Sequence, residues 1–188
     1  MVMTDKMNNN DNDLIEKKID SKNVFDGHLL HVRCDSVRLP NGNVTTREWV
    51  KHPGAAAVLP ILPDGRVILV RQYRYPVQRV TLEIPAGKLD SPDENPLDCA
   101  KRELAEETGY HASDVEKILT LATTVGFSNE FIHIYTAKGL VPGKQHTDDD
   151  EFIHVVEVPL EKAYEMVQNG EIIDAKTIAA ILWEFARR

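Results

Sequence analysis

Three glutamates in the stretch Ala86 to Tyr110, AGKLDSPDENPLDCAKRELAEETGY, are spaced for metal chemistry. The punctuation predicts a helix over Pro96–Thr108, closed by Gly109 in the usual C-terminal position. At about 100° per residue, Leu97, Ala100 and Leu104 form a stripe that can face a core, and Glu103 and Glu107 stack one turn apart on its flank. Glu106 lies further round, within reach of Arg102 at i and i+4. Two stacked carboxylates repel each other, and a hard divalent cation resolves the conflict. Carboxylate oxygens with a main-chain carbonyl suit Mg²⁺ or Mn²⁺, and Mg²⁺ keeps several waters and takes phosphate oxygens as well. On spacing alone a second reading stands beside this one: the solvated charged face that most helices rich in Glu, Lys and Arg present.

Arg71, Arg74 and Arg79 are the local arginine cluster upstream of the acidic helix, and guanidinium forks suit phosphate oxygens. Arg79 reads better as a partner of surface carboxylates, a role also open to Arg71. Trp49 or Tyr73 can stack on a nucleobase, or serve as core or interface packing. Glu130, in Gly126-Phe127-Ser128-Asn129-Glu130, and the run Asp148-Asp149-Asp150-Glu151 are two further acidic candidates. By residue type alone each is equally a solvated loop. His28 and His31, read on one strand at i and i+3, face opposite sides, and His52 precedes Pro53 in a loop, so no histidine metal site is expected. With Cys34 and Cys99 alone there is neither a disulfide framework nor a cysteine-based zinc site.

These groups need a scaffold, and 188 residues with 42% apolar content supply one ordinary hydrophobic core. Residues 1–13 lack periodicity and are expected to be a disordered tail. Residues 14–52 read as a small N-terminal antiparallel sheet. The Phe25-Asp26-Gly27 corner leads into an alternating stretch, His28 to Leu39, and Pro40-Asn41-Gly42-Asn43 turns it into Val44 to Val50. Over 53–188 strands are expected at Ala55–Leu62, Val67–Tyr73 and Thr81–Ile84, the last before a Pro85-Ala86-Gly87 bend. Beyond the acidic helix come strands near Glu116–Thr123, Ile132–Lys138 and Glu151–Val158, then a helix Leu160–Gln168. A last helix has Asp174 as N-cap and a stripe of Ile178, Ile181, Leu182 and Phe185. The pattern predicts an α/β fold, a mixed sheet sandwiched between helices.

The formal net charge of −8 argues against nonspecific binding to nucleic acid or anionic lipid. An anionic substrate then needs concentrated arginines or a bridging cation, and the chain offers both. No apolar run is long enough to cross a bilayer, and the polar, acidic N-terminus is neither a secretory signal nor a transit peptide. A reducing cytosol is the expected location.

Gly87, Glu94, Arg102-Glu103-Leu104, Glu106-Glu107 and Gly109-Tyr110 resemble the Nudix box. From Glu94 to Tyr110 every fixed position matches; the departure is a spacer of six residues between Gly87 and Glu94 where the family normally has five. It reads as an insertion in the Ser91-Pro92 loop. TTREWVKHPGAAAVLPIL, VILVRQYRYPV, LEIPAGKL and GFSNEFIHIY extend the resemblance, from about Ile15 to the C-terminus, to the ADP-ribose pyrophosphatase subgroup. The resemblance implies the Nudix α/β/α sandwich and hydrolysis of ADP-ribose, or of another nucleoside diphosphate sugar or a dinucleotide, or ADP-ribose sensing without cleavage. It implies a Mg²⁺ (or Mn²⁺) site at Glu103, Glu106, Glu107 and the carbonyl of Ala86, with Glu94 and Arg102 holding the loop to the helix. It also implies substrate contacts from Arg47 and Arg74, and a general base or late-arriving metal ligand at Glu130; Arg71 and Trp49 are further substrate-contact candidates, and the run Asp148–Glu151 is the second candidate for the base. Finally, it implies a homodimer in which residues 14–52 pack against the second subunit and the active site draws on both chains. Val125 stands where the subgroup usually has proline.

Overall fold

The computed structural model describes residues 11–91, 93–147 and 151–188, so most of the expected N-terminal tail and Asp148–Asp150 of the acidic run lie outside the described residues. The chain forms two compact units, Met1–His52 with Thr124–Asn129, and Pro53–Thr123 with Glu130–Arg188.

The first unit is built on an antiparallel three-stranded sheet, β1 (Lys17–Asp26), β2 (His31–Arg38) and β3 (Val44–Lys51), in that order. Alternation sets its register: Arg33 opposes Trp49, and Asp35 opposes Arg47. The β2–β3 turn closes as its sequence predicts, with Leu39 N–H donating to Asn43 O and Gly42 at φ +88°. The predicted strand over 28–39 starts three residues late. His28 sits in the turn between β1 and β2, and His31 opens β2 with its ring bonded to Asp26 Oδ1 at 2.5 Å. The segment Thr124–Asn129 joins this unit through backbone bonds from Val50 N–H to Phe127 O and from Asn129 N–H to Val50 O.

The second unit holds two sheets. One, in the order β10-β5-β6, joins β10 (His154–Pro159), β5 (Arg66–Arg74) and β6 (Arg79–Glu83), all antiparallel. The other runs β7-β4-β9-β8, from β7 (Ala86–Lys88) through β4 (Ala55–Pro60) and β9 (Phe131–Pro142) to β8 (Tyr110–Ala122), and is mixed because β4 and β9 run parallel. Every residue of β4 is buried, as a strand covered on both faces must be. Its side chains alternate between two cores. Ala56 and Val58 meet Cys99, Ala100 and Leu104 of α1 (Pro96–Thr108), whereas Ala57 and Leu59 share a core with Leu160 and Ala163 of α2 (Leu160–Gln168) and Ala180 and Ile181 of α3 (Ala175–Phe185). This is the predicted α/β/α sandwich.

Local chemistry explains the helix ends. Asn95 Oδ1 accepts from Leu97 N–H, Pro96 takes the first helical position, and Gly109 closes α1 at φ +74°. Asp174 caps α3 as expected, accepting from Thr177 N–H. Three expectations need correction. The Pro85-Ala86-Gly87 bend is in part a strand, because Gly87 pairs with Ala56 of β4. β8 begins directly after Gly109 and β9 runs on to Pro142, as two long partners extending one antiparallel ladder. On α3 Leu182 is half-exposed, while Lys176 and Thr177 are buried instead.

Candidate active site

β7 and α1 bring the acidic groups together. Glu103 and Glu107 are 9% and 2% exposed, far from the solvated face that was the alternative. Glu107 Oε2 accepts from the backbone N–H of Ala86 at 3.1 Å. Gly87 lies under Glu103 so closely that only a residue without a Cβ leaves the carboxylate its place. Arg102 Nη1 donates to Glu103 Oε1 at 2.6 Å and to Glu106 Oε2 at 3.1 Å, the latter being the expected i,i+4 pair. Its Nη2 reaches the carbonyl of Lys88 at 3.4 Å and Glu94 Oε1 at 3.5 Å, and Glu94 Oε2 accepts from Asp90 N–H. Glu94 and Arg102 thus tie the loop to the helix, and α1 is intact despite the longer spacer, whose Pro92 lies outside the described residues.

The electrostatics follow from burial. Glu107 is pushed up to about 8 by desolvation, then by the charges of Glu103 and Glu151. Glu103 rises to about 7, again chiefly by desolvation, with Glu106 and Glu151 adding repulsion that Arg102 offsets in part. Two buried carboxylates whose charge Arg102 and Lys176 offset only in part are poised to accept a divalent ion. Gly87 leaves them room, so the residues present fit such a group. Among the described residues no three acidic, histidine or cysteine side chains enclose an ion by themselves. Cys99 is fully buried behind this site and its thiol is pushed up to about 12 by desolvation, which makes it inert.

Glu151 couples to both central carboxylates, although it precedes β10 rather than lying in it. Glu130 is placed differently. It sits just before β9, and its Oε2 accepts from Thr123 Oγ1 at 2.7 Å.

Arg74 joins the acidic site, its guanidinium forked onto Glu83 through Nε and Nη2, both at 2.8 Å. Its pKa is raised by that bond first and also by the charge of Glu107. Arg71 is not brought to the same place. Three residues away on β5, it faces the opposite side, where it lines an open concavity with Arg79, Leu82, Val156, Met166 and Glu171. Arg47 and Trp49 lie on β3 of the first unit; Arg47 pairs with Glu16 Oε1 at 2.5 Å, and Trp49 is half-buried with its indole N–H unpartnered among the described residues.

Two residues of this site went unsingled in the sequence, Glu83 and Lys176. Glu83 is 3% exposed and accepts from Arg74, Thr81 Oγ1 at 2.6 Å and Lys176 Nζ at 2.5 Å. Burial works to raise its pKa, but Arg74 and Lys176 prevail and hold it at about 2. Both carried a signal. Glu83 interrupts an apolar strand, and Lys176 occupies the first turn of a helix, where the dipole disfavours a cation.

Comparison with known proteins agrees with this geometry. Residues 50–181 match the NUDIX domain family, and residues 16–50 match the nucleoside diphosphate sugar hydrolase N-terminal domain. The chain is 45% identical to the ADP-ribose pyrophosphatase of Bacillus subtilis (strain 168), over 89% of this chain and 91% of that protein. It is 41% identical to the methanol dehydrogenase activator of Bacillus methanolicus, over 88% and 90%. The crystal structure of an ADP compounds hydrolase superposes with a TM-score of 0.80 at 23% identity, covering 91% of this chain and 92% of that one, a likeness of fold. The buried glutamate pair on α1, the glycine beneath it and the two matched domains place this chain in the Nudix family, as a hydrolase.

Proposed function

We propose that this hydrolase cleaves the diphosphate of ADP-ribose, giving AMP and ribose 5-phosphate, with Mg²⁺ as its ion. The observation that carries the reading is the pair Glu103 and Glu107, buried together beside β7 with the charge of Glu151 acting on both. The relatives named for ADP-ribose support the substrate. Glu103, Glu107, Glu106 and the carbonyl of Ala86 would hold the divalent ion that Nudix hydrolases generally use. Such an ion supplies Lewis-acid polarisation of the phosphate and a more acidic bound water.

The protein's own groups do the rest. Arg74 binds diphosphate oxygens with the edge of its guanidinium not taken by Glu83. The resemblance makes Arg47 a further candidate to contact the substrate, and Trp49 is a candidate to stack on the base. Glu151 accepts the proton of the attacking water; it is favoured over Glu130 because its charge reaches both central carboxylates. Arg71 has no part, since it lies on the other face of β5.

Exposed Ile19, Val24, Phe25 and Leu29 on the first unit favour a homodimer formed through residues 14–52. No described helix is long and apolar enough to cross a membrane. The test is a panel of ADP-ribose, GDP-mannose, other nucleotide sugars and a dinucleotide with Mg²⁺, read by phosphate release after phosphatase coupling. ADP-ribose is expected to give the highest kcat/KM. A higher value for another member would move the reading to that substrate, and no release from any of them would leave a sensor.

A further inference from the structure

The N-terminus of α3 carries a buried charge network for which the acidic helix has no need. Lys176 is 8% exposed and donates from Nζ to Glu83 Oε2, with Asp174 Oδ2 at 3.1 Å. Asp174 also accepts from the N–H and Oγ1 of Thr177, and Thr177 Oγ1 in turn accepts from the N–H of Ile84, the residue after β6. α3 is thereby pinned to the end of β6, beside Glu83.

Glu83 is shared between two cations. Arg74 spends Nε and Nη2 on it, and Nη1 makes no hydrogen bond among the described residues. Thr81 Oγ1 takes a further lone pair of Oε1, so the carboxylate has little freedom to turn. A forked arginine–carboxylate pair alone is close to neutral and attracts a phosphate weakly. A second cation on the same carboxylate shifts that balance, because Glu83 can no longer cancel Arg74 in full. Lys176 also acts on Glu107, which places the network beside the acidic helix.

We infer that Glu83 and Lys176 are positioning residues for anion binding: Glu83 holds Arg74 by one edge so that Nη1 is left for a phosphate oxygen, and Lys176 keeps that arginine from being neutralised. The inference rests on the reading of Arg74 as a diphosphate ligand.

Glu83→Gln, Lys176→Met, Arg74→Ala and the double variant Arg74→Ala/Lys176→Met test it in the full-length protein. KM and kcat for ADP-ribose are measured, along with Mg²⁺-free affinity for inorganic diphosphate by calorimetry and the ¹⁵N resonance of Arg74 Nε. Lys176→Met is expected to raise KM about tenfold with kcat within about threefold, and to weaken diphosphate binding alike. In the Arg74→Ala background the same change should move either constant less than about twofold, since its target is gone. Glu83→Gln should shift the Arg74 Nε resonance and speed its hydrogen exchange. Equal effects of Lys176→Met in both backgrounds, or an unchanged Arg74 resonance in Glu83→Gln, would overturn the inference. If the wild-type protein cleaves no nucleoside diphosphate, the functional reading falls, while diphosphate affinity and the resonance still decide this one. A Glu83→Gln variant that failed to fold would leave the Lys176 cycle to decide.

Discussion

A Cβ built on Gly87 would lie 2.0 Å from Oε1 of Glu103 and 2.3 Å from its Cδ, so the glycine and the carboxylate occupy complementary halves of one space. The neighbour that must yield is the end of a flexible side chain and not backbone. Gly87→Ala is therefore expected to change stability by no more than about 1 kcal/mol. Displacing Glu103 by about an ångström should nevertheless lower kcat on the order of 100-fold. A thermal melt and a Mg²⁺ titration of activity check both halves, and an alanine variant with near wild-type kcat would refute the placement.

The two acidic candidates for the base predict opposite mutant phenotypes. Glu151→Gln should lose about 10²- to 10⁴-fold in kcat with little change in KM, as a group acting in the transition state does. Glu130→Gln should stay within about tenfold, its carboxylate being engaged with Thr123. Side-by-side steady-state kinetics decide, and the reverse ranking would return the assignment to Glu130.

Glu103 and Glu107, raised to about 7 and about 8, set the pH response of the metal-free protein. Groups with raised folded pKa values contribute stability that is complete below the unfolded value of 4.5 and lost as pH rises through 7 to 8. In chelator the melting temperature should thus fall from about pH 4.5 to about pH 8 and level off above. Mg²⁺ should restore it, and more strongly at the higher pH, because its ligands must be deprotonated. Glu107→Gln should flatten both trends in differential scanning calorimetry; an unaltered pH slope in that variant would count against the assignment.

Glu83 runs the other way. Its folded value of about 2 lies below the ordinary 4.5, so it contributes stability above pH 4.5 that is lost as pH falls toward 2. For this nearly inaccessible side chain the contribution is about 3 kcal/mol. Glu83→Gln should be less stable at pH 7, where it leaves Lys176 short of a buried partner, and should show a shallower acid limb in urea melts at graded pH. An unchanged limb would mean that the native carboxylate is not held ionised.

Much of this architecture was legible in residue order. The limits of α1 and α2 and the cap at Asp174 follow from proline, glycine and aspartate at helix ends, and these are local rules. Glu103 and Glu107 were legible because helical spacing carries them to one flank. What stayed hidden depends on contacts across long separations. The pairing of Gly87 with Ala56 turns an apparent bend into a strand, and Glu83 meets Lys176 across 93 positions. Arg71 and Arg74 read as one cluster because sequence proximity hides strand parity. Only the pleat sends them to opposite faces.

Lys176 lies in the last helix, whereas Glu83, Gly87 and the acidic residues of α1 all precede it by scores of positions. On the ribosome the N-terminal parts of a chain are made and begin to fold first. Until α3 has emerged, the carboxylate of Glu83 has no lysine, and β6 lacks the Thr177 hydroxyl that accepts from Ile84. The site is therefore completed only once α3 has been made. A product terminated before Asp174 would carry every acidic ligand of α1 without the means to bury Glu83 in balance, and is expected to be cleared by proteolysis rather than to persist as a partial enzyme.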